Sequence, residues 1–189
     1  MTRLLLTLLL IAFLILLSSP VLAVQWRVLS QVDEMTLVEK KYAYRESSST
    51  PSSETFGKRV SFLASCGEDG RPSLQINWQT YIDNDAFITE AKIDTDPIVR
   101  VWAAASTKGT SMFLGSNRKD RVFLSKGDAP NKYLDKKNTK ATVWDLNAKL
   151  KTAGRVVFRQ EDYRGTPYTA VFDFRGFEAV NTEVLGSCL

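Results

Sequence analysis

The side chains in this sequence that could do chemistry are two cysteines and a few carboxylates, because the chain contains no histidine. Histidine is the usual general base near neutral pH and the commonest metal ligand, so its absence counts against both kinds of site. Glu90, Asp94 and Asp96 lie close together in sequence, but a hydrolase pair needs a defined separation in space, and turn capping before Pro97 accounts for both aspartates. The sequence contains no nucleophile elbow, phosphate-binding loop or zinc-protease motif. We therefore expect a protein that is not an enzyme and that binds no cofactor or metal.

Cys66 and Cys188 are the only cysteines, and their surroundings predict that they pair with each other. Cys66 ends an alternating run in which Val60, Phe62 and Ala64 share its face of a strand. Cys188 ends a helical stripe formed by Phe177, Val180 and Val184. Both sulfurs should therefore point into the core, and the absence of histidine and of a third cysteine disfavours a metal-binding or catalytic thiol. A bridge closing a loop of about 120 residues contributes roughly 4–5 kcal/mol in the chain-entropy model.

The N-terminus predicts export, which would provide the oxidising compartment that a disulfide needs. Arg3 precedes an apolar run over residues 4–17, and Ser18, Ser19 and Pro20 follow it. About fourteen apolar residues span roughly 21 Å as a helix, short of a hydrocarbon core of about 30 Å, so a cleaved signal peptide is favoured over a membrane anchor. Val21 and Ala23 are small enough for a peptidase site, and we predict cleavage after Ala23, leaving residues 24–189 as a single disulfide-closed domain in the periplasm or outside the cell.

The cysteines and carboxylates must be positioned mainly by β-strands. Short alternating runs recur with turn residues every eight to twelve positions, the clearest being 74–78, where Leu74, Ile76 and Trp78 share one face. Further strands are expected at about 26–30, 35–45, 60–66, 87–93, 98–105, 110–114, 121–124, 156–160 and 168–174. A helix capped by Asn138 or Thr139 is predicted near 139–152, and a short one at the C-terminus. The fold class is therefore mostly β, an antiparallel β-sandwich or barrel-like domain with two helices.

Basic residues are concentrated in one region. From Arg118 to Arg155 there are eleven Lys/Arg against four Asp/Glu, a net charge of +7. Scattered, solvated lysines are the favoured interpretation, and an anion-binding face is the alternative. That face would use Lys132, Lys136, Lys137 and Lys140. Nucleic acid is not expected as a partner of an exported protein.

A second possible binding surface lies on two predicted strands. Arg100 and Trp102 fall on the same face of one strand, so a guanidinium could stack near an indole either as packing, which we favour, or as part of a binding surface. Lys92 and Asp94 complete this candidate surface on the preceding strand.

Several stretches together resemble the VasI-like proteins associated with bacterial type VI secretion. In chain order they are FLASC (62–66), LQINWQTYI (74–82), Lys92-Ile-Asp94 with Pro97, Trp102 with Ser106, Phe113, and YRGTPYTAVFDFRG (163–176) before a terminal helix and Cys188. The resemblance covers about residues 26–188. It departs from the family pattern at Lys92, where the family tends to carry arginine, and in a longer basic stretch from Arg118 to Lys140. It implies an envelope protein of Gram-negative bacteria without known enzymatic activity.

The expected function is that of a non-enzymatic exported accessory of type VI-like secretion, which acts by contact with a protein partner in the envelope or the secretion apparatus. Two alternatives stay open. One is an envelope ligand-binding module that recognises anionic lipid or glycan through the basic region. The other is an inhibitor of an envelope hydrolase, a role that suits a small rigid domain.

Overall fold

The computed structural model describes residues 26–32, 34–35, 37–49, 57–67, 70, 72–83, 86–114, 143–186 and 188. Within them the chain forms nine strands and two helices. The strands are β1 (Arg27–Val32), β2 (Glu39–Glu46), β3 (Ser61–Cys66), β4 (Pro72–Asn77), β5 (Ala86–Ile93), β6 (Val99–Ala105), β7 (Ser111–Leu114), β8 (Arg155–Glu161) and β9 (Pro167–Asp173). The helices are α1 (Val143–Lys151) and α2 (Phe177–Leu185).

The strands form one antiparallel sheet that curls so that β9 meets the end of β2. The order is β1-β2-β3-β4-β7-β6-β5-β8-β9. The backbone N–H of Ser48, just beyond β2, donates to the carbonyl of Val171 in β9 at 2.7 Å. Inside the curl, Phe62 of β3 stacks on Phe158 of β8 with ring centroids 6.0 Å apart. The predicted fold class, mostly β and sandwich- or barrel-like with two helices, is therefore confirmed.

Alternation places the core as the sequence predicts in most strands. Leu74 and Ile76 of β4 are buried with half-buried neighbours between them, and Trp78 continues that face. β6 departs from the expected alternation, because Ala103, Ala104 and Ala105 are all buried. Side chains this small let the backbone be covered on both faces.

The second predicted strand begins later than expected. The pattern placed its start at Met35, but β2 starts at Glu39, and Met35 lies in a turn. The predicted strand at 121–124, the start of the predicted helix at 139, and the signal peptide over residues 1–23 lie outside the described residues.

The two helices lie at one end of the curled sheet, which we call the helix end. α1 leads into the start of β8, and α2 follows the end of β9. Phe177 at the start of α2 joins an aromatic cluster with Trp26, Phe62 and Phe174, in which neighbouring ring centroids are 4.7–6.1 Å apart. The amide of Asn181 donates to Asn147 at 2.7 Å, so a buried hydrogen bond joins α2 to α1.

A disulfide fastens the C-terminus to this end. Cys66 at the end of β3 is bonded to Cys188, with their Cα atoms 5.6 Å apart, which confirms the predicted pairing. Val180 and Val184 pack toward the core on the same stripe of α2. The bond is compatible with an extracytoplasmic location. In the described part of the chain, none of the helices has the length and apolar character needed to cross a membrane.

Candidate functional site

The predicted surface on β5 and β6 is organised around a carboxylate. Glu90 of β5 accepts from the Arg100 Nε of β6 at 3.4 Å and pairs with the Arg159 guanidinium of β8 at 2.7 Å. The three side chains form a cross-strand ladder in which the two exposed arginines share the half-buried carboxylate of Glu90 as their counter-ion. Lys92 is exposed on the same outward side of β5. The backbone of Trp102 pairs with that of Ile88 in β5. The side chain of Trp102 lies outside the described part of the structure.

Asp94 has a structural task. Its carboxylate accepts the backbone N–H of Gly154 at 3.1 Å and that of Arg155 at 2.7 Å, so it caps the turn between α1 and β8. Asp94 itself has a left-handed backbone (φ 47°), a conformation that aspartate tolerates better than most residues. Asp94 therefore caps a turn, but it is not the turn before Pro97 to which the sequence analysis assigned it.

The basic region is described only over 143–155. Lys132, Lys136, Lys137 and Lys140 lie outside the described residues, so their role as a binding face stays a prediction. Within the described part, Lys149 pairs with Asp96 across 3.4 Å between exposed side chains, a contact that contributes little on its own.

The hairpin of β1 and β2, which we call the arm, carries an apolar tip. Met35 is 94 % exposed and Leu37 79 %, and Val32 and Val38 are each more than half exposed. Leu37 also has a left-handed backbone (φ 55°), which is costly for a bulky aliphatic residue. Within the described residues β1 pairs only with β2, so its other edge is open. An open edge beside an exposed apolar tip is typical of a docking surface.

The arm tip projects beyond the helix end. Tyr42 of β2 pairs with Ser65 near the end of β3, so the residues of β2 before Tyr42 extend past the neighbouring strand. Lys41 reaches Glu183 of α2 at 3.8 Å. Because the tip lies outside the curled sheet, a partner can reach it without displacing the core.

At the opposite end, which we call the loop end, two tyrosines form an exposed aromatic pair, the platform. Tyr81 follows β4 and Tyr163 lies in the β8–β9 turn; their ring centroids are 5.7 Å apart and the planes are inclined by 70°. Tyr81 is 42 % exposed and Tyr163 59 %. The Arg164 guanidinium lies 5.3 Å from the centroid of the Tyr163 ring.

Asp162 holds the Tyr163 turn in place. Its buried carboxylate accepts the backbone N–H groups of Arg164 and Thr166, both at 2.8 Å, and the Arg164 side chain. Burial alone would raise the pKa of Asp162. The hydrogen bonds from the backbone N–H groups of Thr166 and Arg164, and then from the Arg164 guanidinium, outweigh this effect and lower the pKa below its ordinary value. The backbone N–H of Tyr163 donates to Ile82 at 3.0 Å, which ties the two tyrosine loops together.

Gly109 supports the other half of the platform. It has a left-handed backbone (φ 66°), and a Cβ at this position would lie 2.5 Å from the Tyr81 ring and 2.7 Å from the Asp83 carbonyl. Only glycine fits this close approach. Both rings are therefore held by their loops before any ligand arrives.

A third feature is the seam where β2 meets β9. Arg45, 4 % exposed, lies 3.7 Å from the Asp173 carboxylate and 5.8 Å from the centre of the Trp26 ring. Asp173 also accepts from Arg175 at 2.9 Å. The hydrogen bonds from Arg175, opposed in part by burial and aided by the charge of Arg45, lower the pKa of Asp173.

The seam borders a shallow cleft of about 270 Å³ lined by Ser48, Asp94, Gly154, Arg155, Val171, Phe172, Asp173 and Arg175. The carboxylates on its wall are already engaged: Asp94 by backbone N–H groups and Asp173 by arginines. No group of three or more His, Cys, Asp or Glu side chains that could hold a metal ion is found where the structure describes the chain.

Comparisons with known proteins provide no family. No protein-family model matches the chain, and no curated protein matches it. The crystal structure of invasion associated protein B from Bartonella henselae is similar at 9 % identity with a TM-score of 0.47, over 85 % of this chain and 92 % of that one. A likeness at this level carries no argument about function. Membership of the VasI-like proteins stays a prediction.

The platform and the arm tip are the features that the sequence analysis did not single out. The tyrosines lie in separate loops, and only the β8–β9 turn, with Asp162 before Tyr163 and Gly165 after it, shows a local signal of an exposed aromatic at a rigid turn. At the tip, the alternation of Met35 and Leu37 is indistinguishable from that of a half-buried strand.

Proposed function

We propose that this chain is an exported, non-enzymatic accessory protein that acts by contact with a protein partner, and that the partner belongs to a type VI-like secretion apparatus. The observation that carries the contact is the apolar tip of the arm beside the open edge of β1. The secretion apparatus enters only through the resemblance of the residues 26–188 to the VasI-like proteins.

The arm provides both elements that strand addition by a partner requires. Within the described residues β1 has one neighbouring strand only, so the backbone N–H and C=O groups of its outer edge can pair with an extended segment of a partner. Leu29 and Val32 of β1 lie on opposite faces of the strand, and each is about half exposed and provides an apolar contact. Keeping Met35 and Leu37 in water costs free energy that burial at an interface would recover, at roughly 25 cal/mol per Å².

The disulfide is consistent with this role because a rigid body loses less entropy on binding. α2 packs against β1, β2 and β3, and its C-terminal end is bonded to β3 through Cys66. The base of the arm is thus part of the closed domain, while its tip is exposed.

In-cell photo-crosslinking tests the proposal. A photoreactive amino acid placed at Leu37 should crosslink to a secretion-apparatus subunit in the native envelope, identified by mass spectrometry. Ile98 is the matched control, because it is an exposed aliphatic residue, 57 % accessible, away from the arm. Crosslinks of equal yield from Ile98, or none from Leu37, would contradict docking through the arm. A specific crosslink from Leu37 to a protein outside the apparatus would contradict the type VI part alone.

A further inference from the structure

We infer that the Tyr81–Tyr163 platform is a glycan-binding site, separate from the arm and from the basic region. Aromatic ring faces carry partial negative charge, so they attract the polarised C–H groups on the flat face of a sugar ring. Tyr163 is 59 % exposed on a fixed loop. The Arg164 guanidinium lies over its ring, and the exposed part of the ring offers such a surface at little entropic cost.

The polar groups around the rings match the rim of a sugar. Among the described residues, no hydrogen bond uses the hydroxyl of Tyr81 or of Tyr163. Arg164 uses Nε and one terminal nitrogen on Asp162, and no described residue takes a hydrogen bond from its Nη1. Phenol hydroxyls and spare guanidinium donors beside an aromatic face suit a ligand whose apolar ring faces alternate with hydroxyl groups.

The geometry disfavours the other ligands that aromatic sites commonly take. A proline-rich peptide needs a slot between aromatic side chains, but the Tyr81 and Tyr163 rings contact each other edge to face and leave no gap. An anionic ligand would need surplus positive charge, and the charge of Arg164 is balanced by Asp162 across 3.3 Å. A saccharide needs neither a slot nor a net charge.

The loops show the preorganisation of a binding site. Gln79 has a left-handed backbone (φ 61°) two residues before Tyr81, and Asn77 accepts its backbone N–H at 3.1 Å. With Gly109 beneath the Tyr81 ring and Asp162 inside the Tyr163 turn, strain and buried hydrogen bonds fix both rings. Such strain concentrates at functional sites.

Titration of the mature protein with saccharides tests the site. The probes are chitotetraose, maltotetraose and soluble fragments of digested peptidoglycan, followed by calorimetry and by NMR chemical shifts. At least one should bind saturably at millimolar concentration, with shifts confined to the loops of Tyr81, Gly109 and Tyr163. Tyr163→Ala should weaken binding about tenfold, and Tyr163→Phe, which keeps the ring, should weaken it less.

Ile98→Ala is the matched control, because it removes an exposed aliphatic side chain away from the platform and should leave binding unchanged. Thermal midpoints equal to that of the wild type would show that the Tyr163 variants fold. Absence of binding by every saccharide, or equal binding by Tyr163→Ala, would overturn the inference. Binding of a proline-rich decapeptide in place of the sugars would also overturn it. Neither result bears on the arm, whose test uses Leu37.

Discussion

Removing the Cys66–Cys188 bond should lower the stability of the domain by a large and calculable amount. The bonded residues are 122 positions apart, and the chain-entropy model gives about 4.9 kcal/mol for a loop of that length at 25 °C. Stability of a domain of this size is typically about 5–15 kcal/mol, so the bond accounts for a substantial share of it. A change of 1 kcal/mol moves the midpoint by roughly 2–4 °C, so we expect a fall of about 10–20 °C.

The assay is equilibrium unfolding of residues 24–189 in urea and by heating, with wild type compared with the double variant Cys66→Ser, Cys188→Ser. The double variant avoids an unpaired thiol. The double variant should still fold, because Phe177, Val184 and Leu185 bury α2 against the sheet without the bond. The single variant Cys188→Ser and reduced wild type should fall to the same midpoint. An unchanged midpoint in the double variant would refute the entropic argument.

Two further predictions concern the loop end. Gly109→Ala should destabilise the domain by roughly 1–3 kcal/mol, because its Cβ would collide with the Tyr81 ring and the Asp83 backbone. The control Gly165→Ala, at φ 83° with nothing within 4 Å of the added Cβ, should lose only the stability that a left-handed backbone costs an alanine. Equal losses of stability for the two variants in urea unfolding would argue against the collision. Acid should also destabilise the domain: Asp162 and Asp173 have lowered pKa values, so their stabilisation is complete above the ordinary carboxyl value of 3.8 and is lost as pH falls below it. Midpoints measured from about pH 6 to pH 2 should drop less for Asp162→Asn than for the wild type, and identical slopes would contradict the assignment.

The sequence allowed the core strands and the disulfide to be predicted because both depend on local patterns. The alternation at 60–66 and 74–78 determines which face is apolar, and that face is buried wherever the strand lies in the sheet. Cys66 and Cys188 each sit on such a face. The alternation could not reveal the order in which β4 neighbours β7 and β5 neighbours β8.

The candidate sites could not be predicted because they depend on the order of the strands in the sheet. Asp94 caps a turn that lies 60 residues away, and Tyr81 meets Tyr163 only because β5 and β8 are neighbours. Exposure at the arm tip has a different cause. Met35 and Leu37 carry the period of a strand, and whether such residues are covered depends on how far the neighbouring strand extends, which here is no further than Cys66.

The arm and the platform lie at opposite ends of the same strands, and this arrangement has a mechanical consequence. β2 runs from the arm tip at the helix end to the loop end, and its eight residues span roughly 26 Å at 3.3 Å per residue. A protein held at Leu37 and a saccharide held at Tyr163 would therefore not collide. Between them the sheet is closed by the Ser48–Val171 hydrogen bond, and the disulfide fastens the C-terminus to the helix end. On the two proposals together, the domain would link a protein assembly to the glycan around it. A chain with both Leu37 and Tyr163 altered should lose both contacts, the protein contact through Leu37 and the saccharide contact through Tyr163, each without affecting the other.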